Sequence, residues 1–402
     1  MKKHNRLVGL GLVVALAQTA NAADVRLNGF MSVGAGKLLN SGTSRDHLST
    51  LLLAGVETGG GESPATYTAD AATQGIYNED LSFRPDSNYG LQITAALGDG
   101  LSATGQITGN GGENFDAVVS WAYLSYTFND NYTLMVGRQR MPLFYYSDFI
   151  DVGYAYHWIR PPTTLAASEG DTIEGIKLRG TWLAGDWDIS SDIYYGASKQ
   201  EINRGGSQYT VESVDTGGFA LKASNGTITL RASMLDSSAI ISGNPLVQAF
   251  NQGTRDNPLQ NTFYGLAAHI NIANAFVVSE WTRNDNKENY LALFEVSGSE
   301  DTTGWYISAG ARFGKVTPHI TYGENESNYK GETLLGESQF TGGFSSVTIG
   351  LRWDFHSSAA FKMEYETRSD DSDDYFQNSA GGFGYGDGYE ADLISFSFDA
   401  IF

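Results

Sequence analysis

Side chains along a β-strand point alternately to opposite faces. This chain repeats an apolar/polar alternation sixteen times, and the connections swing between long polar loops and turns of two or three residues. The last stretch is the cleanest: Ile394, Phe396, Phe398, Ala400 and Phe402 share one side, while Ser395, Ser397 and Asp399 share the other. Segments with one apolar and one polar face suit a sheet that meets lipid outside and water inside. Lipid offers no hydrogen bond to a strand edge, so such a sheet must close on itself. The pattern therefore predicts an all-β fold, a closed antiparallel transmembrane barrel of about 16 strands. A large soluble β protein also alternates, but it has no need of long loops on one side only.

The first residues have the form of an export leader. Lys2, Lys3 and Arg6 precede an apolar run from Leu7 to Ala17, followed by Ala20, Asn21 and Ala22. That run is too short for a spanning helix, which needs roughly 20 residues. A cleaved signal peptide over 1–22 and a barrel domain over 23–402 are expected. With no Cys among 402 residues, a disulfide scaffold is excluded. The formal charge of −21 becomes about −24 once the leader's three basic side chains are gone. So acidic a chain does not suit nucleic acid as a partner.

Turn chemistry sets the strand pairs. Gly98-Asp99-Gly100, Asn129-Asp130-Asn131, Ala184-Gly185 and Asn225-Gly226 favour tight reversals. Others are expected at Ala273-Asn274-Ala275, Gly314-Lys315 and His356-Ser357-Ser358. Expected strands include Val25 to Leu38, Asp116 to Phe128, Thr172 to Trp182 and Asp186 to Gly196. Parity then assigns faces. Lys177, Arg179, Lys222, Arg231, Arg312, Arg352 and Lys362 fall opposite the apolar residues, hence inward, because a Lys or Arg facing mid-bilayer costs about 2–4 kcal/mol. Phe128, Tyr132, Trp182, Trp187, Phe276, Phe313, Trp353, Phe355 and Phe402 lie beside the short turns, where an interfacial girdle belongs.

One long connection differs from the rest. Between Arg138 and Thr172 it carries Met141, Phe144, Tyr145, Tyr146, Phe149, Tyr154, Tyr156, Trp158, Ile159, Pro161 and Pro162. An exposed rim loop should not hold such an apolar load, so it is expected to fold into the lumen and narrow it. Here the chain resembles the Gram-negative porins. The residues that carry the resemblance are Val136, Gly137 and Arg138, the stretch from Ser147 and Asp148 to Trp158, Arg160 and Pro161, and the terminal Phe402.

The resemblance implies a homotrimer of sixteen-stranded barrels, a third loop that sets pore size, and Phe402 as an aromatic read by the outer-membrane assembly machinery. Two features depart from it. The Pro-Glu-Phe-Gly-Gly string of enterobacterial constriction loops is absent, and the second long-side loop, Asn110 to Phe115, is short for an inter-subunit latch.

Selectivity at a narrow point comes from opposed charges. The candidate constriction acids are Asp148, Asp151, Glu169 and Asp171. The candidate wall bases are Arg138, Arg140, Arg160, Lys177, Arg179, Arg231, Arg312 and Arg352, with Arg26 elsewhere on the wall. For any one of these, a salt bridge that fixes the loop is as good a reading as a direct pore role. Net acidity leans toward cations, while the arginines of the inner wall pull the other way.

Other signals are bland. Glu366, Asp370, Asp371, Asp373 and Asp374 lack the glycine of a calcium loop and read as a rim loop that holds ions against lipopolysaccharide. The glycines from Gly381 to Gly388 lack a strand-to-helix context. His47, His157, His269, His319 and His356 have no ligand spacing, so neither metal nor cofactor is expected. There is no Gly-x-Ser-x-Gly elbow. The leading expectation is an outer-membrane channel, not an enzyme, for passive diffusion of small hydrophilic solutes and ions, set in lipid and lipopolysaccharide. A substrate-specific channel for an anionic or sugar-like solute is the alternative. An outer-membrane enzyme or adhesin ranks below both.

Overall fold

The structure, a computed structural model, describes residues 24–41, 43–45, 62–64, 67–70, 75–166, 171–204, 207–242, 254–289, 298–333, 336–370 and 390–402. Among them, sixteen strands form one closed barrel. In chain order they are β1 Asp24–Ser41, β2 Asn88–Gly98, β3 Leu101–Asn110, β4 Val118–Thr127, β5 Tyr132–Arg140, β6 Thr172–Ala184, β7 Trp187–Arg204 and β8 Ser207–Ser224. The second half comprises β9 Ile228–Ser242, β10 Leu259–Ile272, β11 Ala275–Asn289, β12 Gly298–Ala311, β13 Val316–Thr333, β14 Gly336–His356, β15 Ala359–Asp370 and β16 Glu390–Ile401. Every neighbour is antiparallel, and β1 pairs with both β2 and β16. The seam ends where the Gly29 and Phe402 backbones exchange hydrogen bonds of 2.7 and 2.9 Å.

The expected strands are all present, and many run longer toward the long-loop side. β1 continues to Ser41 rather than Leu38, and β7 to Arg204 rather than Gly196. Beyond the bilayer, pairing no longer depends on an apolar face, so alternation stops marking the strand before the ladder ends. At the short turns, Gly98, Asp99 and Gly100 all have positive φ, as does Gly226; these are the conformations that Asp-Gly and Asn-Gly turns require.

Parity is realised as expected over most of the wall. Leu124, Val136, Ile176, Ile193, Leu221, Leu230, Leu266, Ile307, Ile320, Ile349 and Phe398 form an exposed apolar exterior. Thr104, Gln106, Ser120, Lys177, Asp192, Arg231, Thr321, Lys362 and Asp399 are buried inside. No helix among the described residues is long and apolar enough to cross a membrane. The girdle needs one correction. Phe276 is buried and packs on His157 inside the lumen, because it shares parity with the inward Val278 and Glu280.

Two segments enter the barrel from the long-loop side. One is the connection from β5 to β6. The other, unexpected, is the end of the first long loop. There Tyr77 is fully buried against Leu38, Ala391 and Leu393 on the inner wall. Ser82 pairs with Gly36, and the Leu38 N–H donates to the Asn78 carbonyl at 2.8 Å. Past Ser32, where β2 ends its pairing, these residues cover the free edge of β1. Gly36 is needed here, since a Cβ would lie 2.9 Å from the Tyr77 ring. The leader over 1–22, Glu169, Asp371 to Asp374, the Asp370 side chain and the glycines from Gly381 to Gly388 lie outside the described residues.

Candidate functional site

The β5–β6 connection lies along the inner wall as its aromatic content requires. The start of the loop is apolar: Met141, Leu143 and Phe144 pack with Ile173, Tyr194, Leu235 and Phe263 of the wall. Two 3-10 turns follow, Ser147–Phe149 and Gly153–Ala155. Ser147 sets the first, since its Oγ accepts the Phe144 N–H at 2.8 Å. Tyr146, Tyr156 and Trp158 then form a second cluster with Val278 and Tyr306. Pro161 and Pro162 keep the return leg extended.

Polar ties fix this segment along its whole length. On β9, Arg231 donates to the Pro142 carbonyl at 2.6 Å and Ser233 to that of Leu143 at 2.5 Å. On β11, Glu280 accepts the Tyr145 N–H at 2.8 Å. On β15, Lys362 Nζ donates to the carbonyls of Gly153 and Trp158 at 2.6 and 2.5 Å, and Glu364 accepts the Ile159 N–H at 2.9 Å. Trp158 Nε1 donates to Thr321 of β13 at 2.8 Å, and the Ala166 N–H to Thr282 of β11 at 2.8 Å. Each buried N–H or C=O left without a partner would cost roughly 1–3 kcal/mol, so these ties decide where the loop rests.

The candidate residues fall into three groups. The first fastens the loop. Arg140 holds Asp151 at 2.5 Å and Asp171 at 3.0 Å. Arg160 meets Asp86 through both ends of its guanidinium, at 2.8 and 2.6 Å, and Glu366 at 3.5 Å. Arg352 donates to the carbonyls of Tyr154 and Tyr156 at 2.7 and 2.6 Å while paired with Asp354. Arg231 belongs here too.

The second group faces the lumen near the loop. Asp148, in the first 3-10 turn, is exposed with no hydrogen bond or ion pair of its own among the described residues. Its charge is felt by Lys177 and Arg179 on β6. Arg179 is held by Asp192 at 2.7 and 2.8 Å, whereas Lys177 is buried.

The third group lies elsewhere. Arg138 stands in the ladder opposite Glu174 and Ala122, on the side of Val136, Ile176 and Leu124. It therefore points outward, paired with Glu174 at 2.7 Å, and is not on the pore wall. Val136 and Arg138 are two residues apart, and parity puts them on one face. Arg312 is exposed at the short-turn rim, 5.1 Å over the Phe276 ring. Arg26 is exposed beside Asp24 at the same rim.

Nothing in the local pattern marked Asp86, Glu280, Glu364 or Asp399 as loop anchors. Glu280, Glu364 and Asp399 do read as inward from their parity, an acid on an inner face being the available signal. Asp86 lies in a polar loop without periodicity.

Three of the loop's ring side chains, Tyr146, Tyr156 and His157, are held neutral. Burial pushes the Tyr146 and Tyr156 hydroxyls well up. Burial first, and the neighbouring His319 second, push the His157 imidazole well below its usual value. Its Nε2 lies 3.0 Å from Ser308 Oγ, and its ring centroid lies 4.8 Å from that of His319. Among the described residues no group of three or more His, Asp or Glu is placed to hold a metal ion.

No family model matches the chain, and no curated protein matches it either. Solved structures do. The outer-membrane channel DcaP of Acinetobacter baumannii matches with a TM-score of 0.56 at 12% identity, over 95% of this chain and 98% of that one. The anion-selective porin of Comamonas acidovorans matches at 0.54 and 14%, over 95% and 100%. OmpT, an outer-membrane protein of Vibrio cholerae, matches at 0.53 and 12%, over 96% and 99%. The chain has the fold of outer-membrane porins, and a closed sixteen-stranded barrel with an apolar exterior fits an outer-membrane location.

Proposed function

We propose that this protein is an outer-membrane channel through which small hydrophilic solutes and ions diffuse passively. The observation that carries the reading is the β5–β6 loop, drawn into the lumen and tied to strands from β9 to β15. A barrel of this size encloses water, and a fixed aromatic insert narrows that passage. The porin fold of the neighbours supports the same reading. Solutes move down their gradient with no covalent step, and no enzymatic role is assigned.

Within this proposal the leader over 1–22 directs export, and Phe402, exposed at the seam, is what the assembly machinery reads. Lipid surrounds the apolar exterior, and lipopolysaccharide meets the long-loop rim. A homotrimer is consistent with a trimer form among the structures of the Vibrio protein. Asp148 faces Lys177 and Arg179 at the narrow point, while Arg140, Arg160, Arg231 and Arg352 hold the loop with Asp151 and Asp171. Single-channel recording in planar bilayers tests the proposal. Discrete conductance steps, in triplets for a trimer, are expected. Folded protein that inserts but carries no current would refute it.

A channel selective for one solute class remains the second reading. It is favoured by one observation, that bases on the β6–β9 wall outnumber the carboxylates they contact. Saturable block by a single solute class at micromolar levels would separate it from simple diffusion.

A further inference from the structure

The lumen loop rests on one side of the ring of strands. Its Tyr145 N–H bonds Glu280 of β11, and Trp158 packs on Tyr306 of β12. In a ring of sixteen, β3 and β4 stand across from those two strands, and none of the ties described above reaches β2, β3 or β4. A solute that clears the loop therefore travels beside this uncovered arc.

The arc is polar without being charged. No charged side chain stands inward on β2, β3, β4 or β5. Hydroxyls and amides take those places, and they bond mainly to one another: Thr94 with Thr104 at 3.4 Å, Ser102 with Ser125 at 2.6 Å, and the Gln106 amide to the Gln92 carbonyl at 3.1 Å. Inward charge begins only with Lys177 and Arg179 on β6.

Two rings interrupt this surface. Trp121 and Tyr123 of β4 stand opposite the inward Gln106 and Thr104, half-buried, with centroids 6.4 Å apart. A β-bulge in the β3–β4 ladder leaves Ser120 as the extra residue, so that Ser120, bonded to Thr108, and Trp121 both turn toward the lumen. Bulges re-aim side chains in this way.

Neither ring serves the barrel itself. Facing away from lipid, they are no part of a girdle, and neither belongs to the buried apolar clusters of the described residues. A shielded indole N–H usually finds a partner, yet that of Trp121 has none. The Tyr123 hydroxyl bonds no other described residue. Gly137, directly opposite Tyr123, keeps the flank of that ring clear, since a Cβ there would lie 3.1 Å from the Tyr123 Cβ. Arg179 lies within electrostatic reach of both Tyr123 and Asp148, which sets the rings at the level of the first 3-10 turn.

A charged solute finds no counter-charge on such an arc and would give up hydration there for nothing. A neutral polyhydroxylated ring fits it better. Its C–H face covers aromatic surface, while its hydroxyls exchange water for the hydroxyls and amides of the wall.

We propose that the β2–β5 arc is a track for neutral saccharides, with Trp121 and Tyr123 as the platform on which a sugar ring stacks beside the narrow point. Passage of the sugar rests on the channel reading above; the stacking itself does not.

Two measurements test it. The first is calorimetric titration of the purified, folded protein in detergent with maltotriose. Wild type should bind saturably, and Trp121→Leu and Tyr123→Leu should each weaken binding by about three- to tenfold. Trp121→Phe, which keeps a ring, should recover most of the loss, and excess inorganic phosphate should not displace the sugar. The second is block of potassium chloride current by maltotriose in planar bilayers. Block should saturate in wild type and weaken by the same factor in Trp121→Leu, whose sugar-free current should be no smaller than that of wild type, leucine being smaller than tryptophan. Absence of saturable binding in wild type, equal affinity in both leucine variants, displacement by phosphate, or no recovery in Trp121→Phe would overturn the inference. Maltotriose binding in detergent without any current in bilayers would leave the platform standing and sink the channel.

Discussion

Arg160 clasps Asp86 through two near-parallel hydrogen bonds, 2.8 Å from Nε and 2.6 Å from Nη2, across 74 residues of chain. The pair joins the return leg of the lumen loop to the segment that covers the free edge of β1. Both side chains are more than nine-tenths buried. Asp86 also accepts from the Tyr77 hydroxyl at 2.5 Å, and burial, then Asp86, keeps that hydroxyl protonated.

Removing one member of this pair leaves the other buried and unpaired. Asp86→Asn is expected to cost about 3–5 kcal/mol, and to loosen both segments together. Limited proteolysis should then cut near Pro161 and near Asp80 at the same rate, and single-channel current should become noisy. Cleavage at one place only would show that the two segments are independent. Arg160→Lys should resemble Asp86→Asn more than wild type, because an ammonium cannot form the two-pronged contact.

Lys362 is fully buried with Asp399 at 2.8 Å and holds the carbonyls of Gly153 and Trp158. Lys362→Met should destabilise by about 3–5 kcal/mol, since Asp399 loses its base. Adding Asp399→Leu should recover much of that stability without restoring the position of the loop. Thermal melts report the first effect and channel step size the second. If the double variant regains both, Lys362 contributes only charge balance.

Acid should loosen the loop. The folded state holds the His157 ring neutral, whereas a solvent-exposed ring takes a proton near pH 6.5. A depressed folded value means that the undocked form binds more protons below that pH. Docking is therefore strongest above about pH 6.5 and weakens as pH falls beneath it, by at most about 1.4 kcal/mol per pH unit, until the folded value is reached. Proteolytic sensitivity of the loop between pH 7.5 and 5 measures this directly. His157→Gln should flatten the profile, and a flat wild-type profile would contradict the account.

The face assignment has its own test. Ile193→Arg, on the exterior, should cost about 2–4 kcal/mol in a bilayer. Ser190→Arg, on the inner face of the same strand, should cost far less. Refolding equilibria into lipid vesicles compare the two, and similar costs would mean that the strand is turned the other way.

How much of this was legible beforehand follows from the range of each signal. Strand number, turn position and face were written locally, in pairs such as Ile176 with Leu178 and in turns such as Asn225-Gly226. The inward course of the loop was legible from its aromatic content alone. Arg138 was misread because its place at a strand end, beside the loop, outweighed its parity with Val136. Tyr77 and Asp86 were invisible for another reason: they lie in a polar loop without periodicity, and their meaning depends on Leu393 and Arg160, far along the chain. A pairing of that kind has no trace in spacing.

The ties of the lumen loop reach Arg231 and Ser233 on β9, Thr321 on β13 and Lys362 on β15. A hollow cylinder resists flattening poorly, whereas one with a rigid strut bolted to distant staves does not become oval under load. Membrane tension or a crowded bilayer should therefore leave this bore round, and the width a solute meets is set by the brace rather than by the pressure around it.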